Sequence, residues 1–361
     1  MTQCTELWVD RGQLRNTKVV STELAELNEG EVLVAIDKFG LTANNVSYAV
    51  SGDAIGYWRF YPAQDEWGKV PVWGCANVIA STCAEVPVGE RLWGFFPMAS
   101  HVVLQPGNIV ADQFIDFAQH RKDLPSLYNA YRRTQAEPDF LSAMETERCL
   151  LFPLFATSFM LYDYLLDNNF FGVQQILIGS VSSKTGFGLA KMLQNDPQVT
   201  PRIIGLTSAP NVDFVEGLNC CDEIIIYGDE ANVDGSLTSA YVDMSGDVRL
   251  TTALHTHVGD NMVESCMVGA THWEHGGKAG QLPGAKPKFF FAPGHIAKRE
   301  AEWGPGVAMA KAMAASAEVA KSIDSEMTVE WTRDVLALEA LWLSMLDNKV
   351  SPQRGQMVSL L

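Results

Sequence analysis

The sequence predicts an α/β protein in two parts, a small β-barrel unit followed by a doubly wound parallel sheet, and three observations carry that prediction. Residues 31–110 hold short β-rich runs separated by Gly, Pro and Asn turns at the spacing of an all-β unit. From residue 176 onward apolar strands alternate with helical intervals, as a parallel sheet covered on both faces requires. The first of those strands, Ile176-Leu177-Ile178, enters a small-residue stretch from Gly179 to Gly188 and then a helical run, Leu189-Ala190-Lys191-Met192-Leu193. Such a turn aims backbone N–H groups and the positive helix end at a phosphate, so it points to a nucleotide cofactor.

Taken in order, the barrel strands are expected at Glu31-Val32-Leu33-Val34-Ala35-Ile36, Val70-Pro71-Val72-Trp73 and His101-Val102-Val103-Leu104. Residues 112–150 turn polar, with Arg121-Lys122-Asp123, Arg132-Arg133 and the breakers Pro125 and Pro138, and read as a helical insertion on the surface. Phe155, Phe159, Leu161, Tyr162, Leu165 and Leu166 recur at helical spacing and deliver the chain into the sheet. Its strands are expected at 176–179, 203–207, 223–227, 240–244, 265–269 and 288–292. Helices follow at about 305–323 and 328–346, and Gly355-Gln356-Met357-Val358-Ser359-Leu360 reads as a strand returning to the first domain. The domains expected are thus 1–150, 151–300 and a C-terminal piece, 301–361.

At 361 residues, 47% hydrophobic and 19% charged, the chain is large enough for two compact cores. Its formal charge of −17 would repel a polyphosphate, so no nucleic-acid partner is expected. No run reaches the roughly 18 apolar residues of a membrane helix. The start, Met1-Thr2-Gln3-Cys4-Thr5-Glu6, lacks the basic and apolar regions of a secretory signal, and a cytoplasmic protein with no membrane partner is expected. The seven cysteines, Cys4, Cys75, Cys83, Cys149, Cys220, Cys221 and Cys266, contain no C-x-x-C pair and read as reduced, mostly buried thiols.

Several landmarks stand in a familiar order: Gly30-Glu31-Val32-Leu33-Val34, Phe39-Gly40-Leu41-Thr42-Ala43-Asn44-Asn45, Val88-Gly89-Glu90-Arg91-Leu92-Trp93-Gly94, Phe155-Ala156-Thr157-Ser158 and Gly355-Gln356-Met357-Val358. In these the chain resembles the medium-chain dehydrogenase/reductase superfamily, over nearly its whole length and weakly between 112 and 150. The resemblance implies a GroES-like β-barrel domain joined to a Rossmann nucleotide-binding domain. Zinc-dependent members carry a cysteine after the counterpart of Phe39-Gly40-Leu41 and a Gly-His-Glu after that of Val70-Pro71. Here those places hold Thr42-Ala43-Asn44 and Trp73-Gly74-Cys75-Ala76, so the chain is similar to the zinc-free branch of quinone oxidoreductases and enoyl reductases, and no metal is expected. Tyr57-Trp58, Val70-Pro71-Val72-Trp73-Gly74 and Ser182-Ser183-Lys184-Thr185 resemble a functionally undefined bacterial family on that branch.

The turn from Ser180 to Gly188 is longer and poorer in glycine than the superfamily's. Ser182, Ser183 and Thr185 are expected to donate hydroxyl bonds to the cofactor, Lys184 to add charge for phosphate, and Gly188 to belong to the same motif. Gly179-x-x-x-Ser183-Lys184-Thr185 is also a degenerate match to a P-loop, one residue short and without its second glycine. The second strand ends in Thr207-Ser208 with Asn211 nearby, where an acidic residue would select NAD, so neutral donors favour the 2′-phosphate of NADP(H). Strand-end capping explains the same residues. By position, Thr157, Tyr227, Gly246, Thr271 and Phe291 resemble residues lining the nicotinamide half of the cleft, although packing and turn chemistry account for each. His255-x-His257 and His272-x-x-His275 with Glu274 invite a metal reading that helix capping or cleft lining answers more simply. Tyr57, Trp58, Phe60, Tyr61, Trp67 and Trp73 either wall an apolar substrate pocket or fill the barrel core.

Without zinc, the charge growing on the acceptor's oxygen needs another donor. Tyr48 nearly matches a tyrosine used by related enoyl and quinone reductases, and Asn44 and Asn45 are adjacent donors; a core tyrosine with turn asparagines is the plain alternative. The expectation is an NADP(H)-dependent, zinc-independent oxidoreductase moving hydride to an activated C=C bond or a quinone on a small, apolar or aromatic substrate. Reduction of a ketone or aldehyde, or a non-catalytic NADP(H)-binding sensor, are the alternatives. The resemblance also implies a homodimer, with strand 288–292 as its apolar edge.

Overall fold

A computed structural model describes residues 2–269 and 280–361. The chain divides into two compact units, one of residues 1–150 and 328–361, the other of residues 151–327.

The first unit is built on Val32–Leu41, whose Val, Leu, Ala and Ile side chains are buried from Val32 to Ile36. One edge of this strand pairs antiparallel with Pro71–Ser81. The other edge is shared, by His101–Leu104 near its start and by Arg354–Val358 near its end. Arg91–Pro97, Ala130–Arg133, Gln113–Asp116 and Pro106–Gly107 continue the sheet beyond Pro71–Ser81, and a three-stranded sheet of Thr17–Glu23, Gln3–Asp10 and Trp67–Gly68 accompanies it.

Two expectations change here. Residues 112–150 are not a helical insertion: Phe114 and Tyr131 are buried on strands that extend the sheet. Tyr131 fits because position 94 is glycine, where a Cβ would lie 2.5 Å from its ring, and its hydroxyl donates to the Phe95 carbonyl at 2.7 Å. Helix appears only at Asp139–Ser142 and Glu145–Leu150, beside short 3-10 turns. Likewise Thr328–Thr332, rich in β-branched residues, is a strand parallel to Arg354–Val358. The helix starts at Val335, where Asp334 accepts the Ala337 N–H at 2.8 Å.

The helix Glu145–Leu150 lies directly on Val32–Leu41, since a Cβ on Gly40 would stand 2.4 Å from the Cys149 carbonyl oxygen. Glu145 anchors it, receiving Arg91 at 2.5 and 2.7 Å and Lys38 at 2.7 Å. Burial alone would raise the Glu145 carboxyl, yet Arg91 and Lys38 hold it down at about 2.

The second unit is a six-stranded parallel sheet. Its order is Glu223–Ile226, Arg202–Thr207, Gln175–Gly179, Ser239–Asp243, Met262–Met267, Lys288–Phe289, which in sequence terms is 3-2-1-4-5-6. That is the doubly wound Rossmann order, and it reverses direction between Gln175–Gly179 and Ser239–Asp243, where such sheets bind ligands at the carboxyl ends of their strands. The central strand is buried throughout, which explains its continuous apolar run. The last strand is shorter than expected, because Phe291 caps the helix Ala292–Trp303 with Pro293 in its first turn. The helix Val307–Ser322 also belongs to this unit. Phe152–Asp167 packs on Lys184–Asn195 so closely that a Cβ on Gly188 would lie 2.6 Å from the Phe155 ring and 2.7 Å from Ser158 Oγ. No described helix is long and apolar enough to cross a membrane.

Glu145→Gln should destabilise the protein by about 3 kcal/mol at pH 6, the linkage value of a fall from 4.5 to about 2. A depressed carboxyl stabilises above its unfolded pKa, so the gap between variant and wild type in urea unfolding should narrow below pH 4.5 and close near pH 2. A gap independent of pH would exclude the ion pairs as its source. Gly188→Val should cost roughly 1–3 kcal/mol through overpacking against Phe155, measured by the same unfolding.

Candidate functional site

The turn after the first strand of the second unit is held by its own side chains. Ser180 adopts φ +54°, a conformation that a non-glycine residue rarely takes. Val181 N–H donates to the Leu206 carbonyl at 3.0 Å, tying the turn to the second strand. Ser183 is the helix N-cap: its hydroxyl accepts the Gly186 N–H at 3.1 Å and donates to the Ser180 carbonyl at 2.7 Å. Both of its hydrogen-bonding roles are therefore taken by the turn. Lys184 and Thr185 open the helix, half-buried, and burial pushes the Lys184 ammonium down to about 8.

Four of the expected residues meet at the ends of the first two strands. Thr207 Oγ1 donates to Ser182 Oγ at 3.0 Å, and Asn211 Nδ2 reaches Ser182 Oγ at 3.3 Å and Ser208 Oγ at 3.1 Å. Ser182 thus accepts two bonds and keeps its own proton for an acceptor outside the cluster. No carboxylate belongs to this group.

The remaining expected residues are scattered. Thr157 Oγ1 bonds back to the Pro153 carbonyl at 3.4 Å in its own helix. Tyr227 packs against the core formed by Leu177, Leu206 and Tyr241. Gly246, at φ +67°, donates its N–H to Asp243 at 3.3 Å. Phe291 is exposed and stacks on Phe289 at 6.5 Å. Thr271, His272, Glu274 and His275 lie outside the described residues. His255 and His257 do not face a common ligand: the first sits between the Pro283 carbonyl at 2.9 Å and Ser265 Oγ at 3.0 Å, the second on the Val233 carbonyl at 2.7 Å.

Asp243 was not anticipated. It ends the fourth strand, buried, and burial pushes its carboxyl up despite the donors around it. Its Oδ1 accepts the Ser245 N–H at 2.8 Å and the Ser245 hydroxyl at 2.6 Å. A Cβ on Gly179 would stand 3.0 Å from the same oxygen, so this carboxyl braces the 244–246 turn against the end of the first strand. Its sequence signal is an acidic residue closing a buried strand before Ser245 and Gly246.

In the first unit, Tyr48 lies on the helix Ala43–Val50 inside an aromatic cage, with Tyr57 at 4.4 Å and Phe95 edge-on at 5.5 Å between ring centres. Its oxygen accepts Trp73 Nε1–H at 3.3 Å. Tyr57 and Tyr128 share a hydroxyl bond at 3.1 Å beside it. Burial, with Tyr57 second, raises the Tyr48 phenol, which stays protonated at neutral pH. Asn45 is differently employed: its Oδ1 accepts Thr42 N–H at 2.7 Å while Nδ2 donates to the Pro71 carbonyl at 2.9 Å, completing a capping box. Tyr57, Trp58, Phe60, Tyr61 and Trp73 are buried and Trp67 is half-buried.

No curated protein matches the chain in sequence. Solved structures match its architecture. A mutant enoyl thioester reductase from Candida tropicalis superposes with a TM-score of 0.59 at 10% identity, covering 99% of this chain and 100% of that one. The Etr1p complex with NADP and crotonyl-CoA gives 0.59 at 11%, over 99% and 100%. A mycobacterial protein complexed with NADPH gives 0.56 at 14%, over 99% of both chains. The chain therefore has the two-domain, Rossmann-containing fold of these reductases. A family model described as "Protein of unknown function (DUF2855)" matches residues 39–351, and the chain belongs to that family.

Proposed function

We propose that the protein is an NADP(H)-dependent oxidoreductase, working without zinc, that moves hydride from the nicotinamide to an activated C=C bond or a quinone on a small apolar or aromatic molecule. The observation that carries this reading is the donor cluster of Ser182, Thr207, Ser208 and Asn211, which sits where a Rossmann sheet meets the adenosine ribose and which holds no carboxylate. The Ser182 proton and the Asn211 amide suit a 2′-phosphate; a ribose hydroxyl would want the missing acidic residue. Lys184, at the first turn of its helix, adds a cation beside the positive helix end. NADP and NADPH accompany two of the structural neighbours, and one of those also holds crotonyl-CoA, an activated alkene.

When bound, NADPH supplies the hydride. The chain's own part is to hold the nucleotide at the turn and to polarise the acceptor's oxygen. For the second task Tyr48 is the donor in this reading: Trp73 donates to its oxygen, which leaves its proton to be given outward. Asn45, buried and committed to Thr42 and Pro71, plays no part in the chemistry. Burial of Tyr48 also favours a second reading, an NADP(H)-binding sensor with no turnover, and a panel of quinones and enones separates the two. A homodimer would pair through the edge strand Lys288–Phe289, where Phe289 is 58% exposed, and a monomeric mass in light scattering excludes it.

Lys184→Met should weaken NADPH roughly tenfold or more at pH 7, the worth of one charge-assisted hydrogen bond. A phosphate beside the ammonium draws a proton onto it, so wild-type affinity should fall as pH rises above about 8 while the variant's stays flat. Fluorescence titration at pH 7 and pH 9 measures both, and equal pH dependence in the two proteins rules the lysine out. Tyr48→Phe should lower turnover about 10²–10³-fold with NADPH affinity unchanged. Full turnover in that variant removes the phenol from the mechanism.

A further inference from the structure

In the first unit an open cleft of about 350 Å³ is lined by Arg11, Asp53, Trp58, Arg59, Trp67 and His120, none of which holds the cofactor or polarises the acceptor in the proposed function. Its volume is that of a small-molecule site. Trp58 stands there because two glycines make room for it. A Cβ on Gly52 would fall 2.2 Å from the indole Nε1, and one on Gly68 would fall 2.4 Å from Cε3. The indole is thereby clamped at 5% exposure, fixed before any ligand arrives.

Two polar groups on this wall are uncommitted. The Trp58 Nε1–H has no protein acceptor, and the Arg59 guanidinium makes no hydrogen bond or ion pair, among the described residues. Arg11 is held in place by the Asp65 and Glu66 carbonyls at 2.5 and 3.2 Å. On a chain of net charge −17, this wall carries two guanidiniums against one carboxylate, Asp53.

We propose that this cleft binds a planar aromatic monocarboxylate, its carboxylate held by Arg59 and the Trp58 indole N–H and its ring laid along Trp67. A guanidinium and an indole N–H can each donate to a carboxylate oxygen, while Trp67, half-buried, is the more open of the two indoles lining the wall. Asp53 sets the charge limit, because a dianion such as phosphate meets its repulsion without gaining a stacking surface. The site stands independently of NADP(H) binding.

The test is a titration of the full chain with 2-naphthoate, following the indole N–H resonances of its nine tryptophans by NMR, with Trp58→Phe identifying the Trp58 signal. The expected result is a saturable displacement of that signal, weakened about tenfold in Arg59→Gln, with inorganic phosphate leaving it in place. Arg59 is exposed, so its variant should fold normally. The proposal is overturned by no displacement at about 10 mM naphthoate, by equal affinity in Arg59→Gln, by movement spread evenly over all the indoles, or by phosphate competing as well as naphthoate.

Discussion

The second unit depends on one close approach: a Cβ at position 186 would lie 2.5 Å from the Ser180 carbonyl oxygen and 2.9 Å from the Ser183 hydroxyl. Only glycine lets the helix start so near the strand it follows. Because the approach is that tight, Ser183 can cap the helix and hold the turn with one hydroxyl, and Ser180 can keep a left-handed conformation that costs about 1–2 kcal/mol. From there the helix runs at a fixed height, which brings Gly188 against Phe155 and Ser158 and sets the position of Phe152–Asp167. The location of Ser182 beside Thr207 is a consequence of the same geometry. A chain with a wider, glycine-rich turn would bring backbone N–H groups to a phosphate; in the proposed reading this one brings the Ser182 hydroxyl.

What the sequence made legible follows from how local the signals are. The central strands Gln175–Gly179, Arg202–Thr207 and Ser239–Asp243 were visible because they are buried almost throughout and so largely apolar, and the turn was visible because small residues concentrate there. Gln113–Asp116 and Ala130–Arg133 were not, since four-residue strands carry too little alternation and Tyr131 owes its burial to Gly94, a position far away in sequence. The site divides in the same way. Ser182, Thr207, Ser208 and Asn211 lie at strand ends and could be placed by counting, whereas the commitment of Ser183 to capping and the bracing role of Asp243 exist only once the turn is folded.

Asn44 and Asn45 show how a one-residue step separates two identical side chains. Neighbours on a helix point about 100° apart, so Asn45 turns inward to Thr42 and Pro71 while Asn44 stands one turn from Tyr48 on the same face. Trp73 donates to the phenol oxygen. A phenol whose oxygen accepts a bond is a better donor itself, since the bond received polarises the O–H that remains. The aromatic cage supplies the low dielectric in which that polarisation counts.

In the proposed reading an acidic chain holds a polyanion, which it has to do at short range. At physiological ionic strength charges more than about 8 Å apart are screened, so most of the net −17 is felt weakly at the turn. What acts there is local: the helix end, worth about half a positive charge, one lysine, and neutral hydroxyl and amide donors that salt does not weaken. A lysine whose ammonium burial has pushed down to about 8 is costly to keep charged, and in the proposed reading a phosphate beside it offsets that cost. In the proposed reading, selectivity between the two nicotinamide cofactors then turns on position 208 and its neighbours. There a carboxylate would accept from a ribose hydroxyl and repel a phosphate dianion, and serine brings no such repulsion.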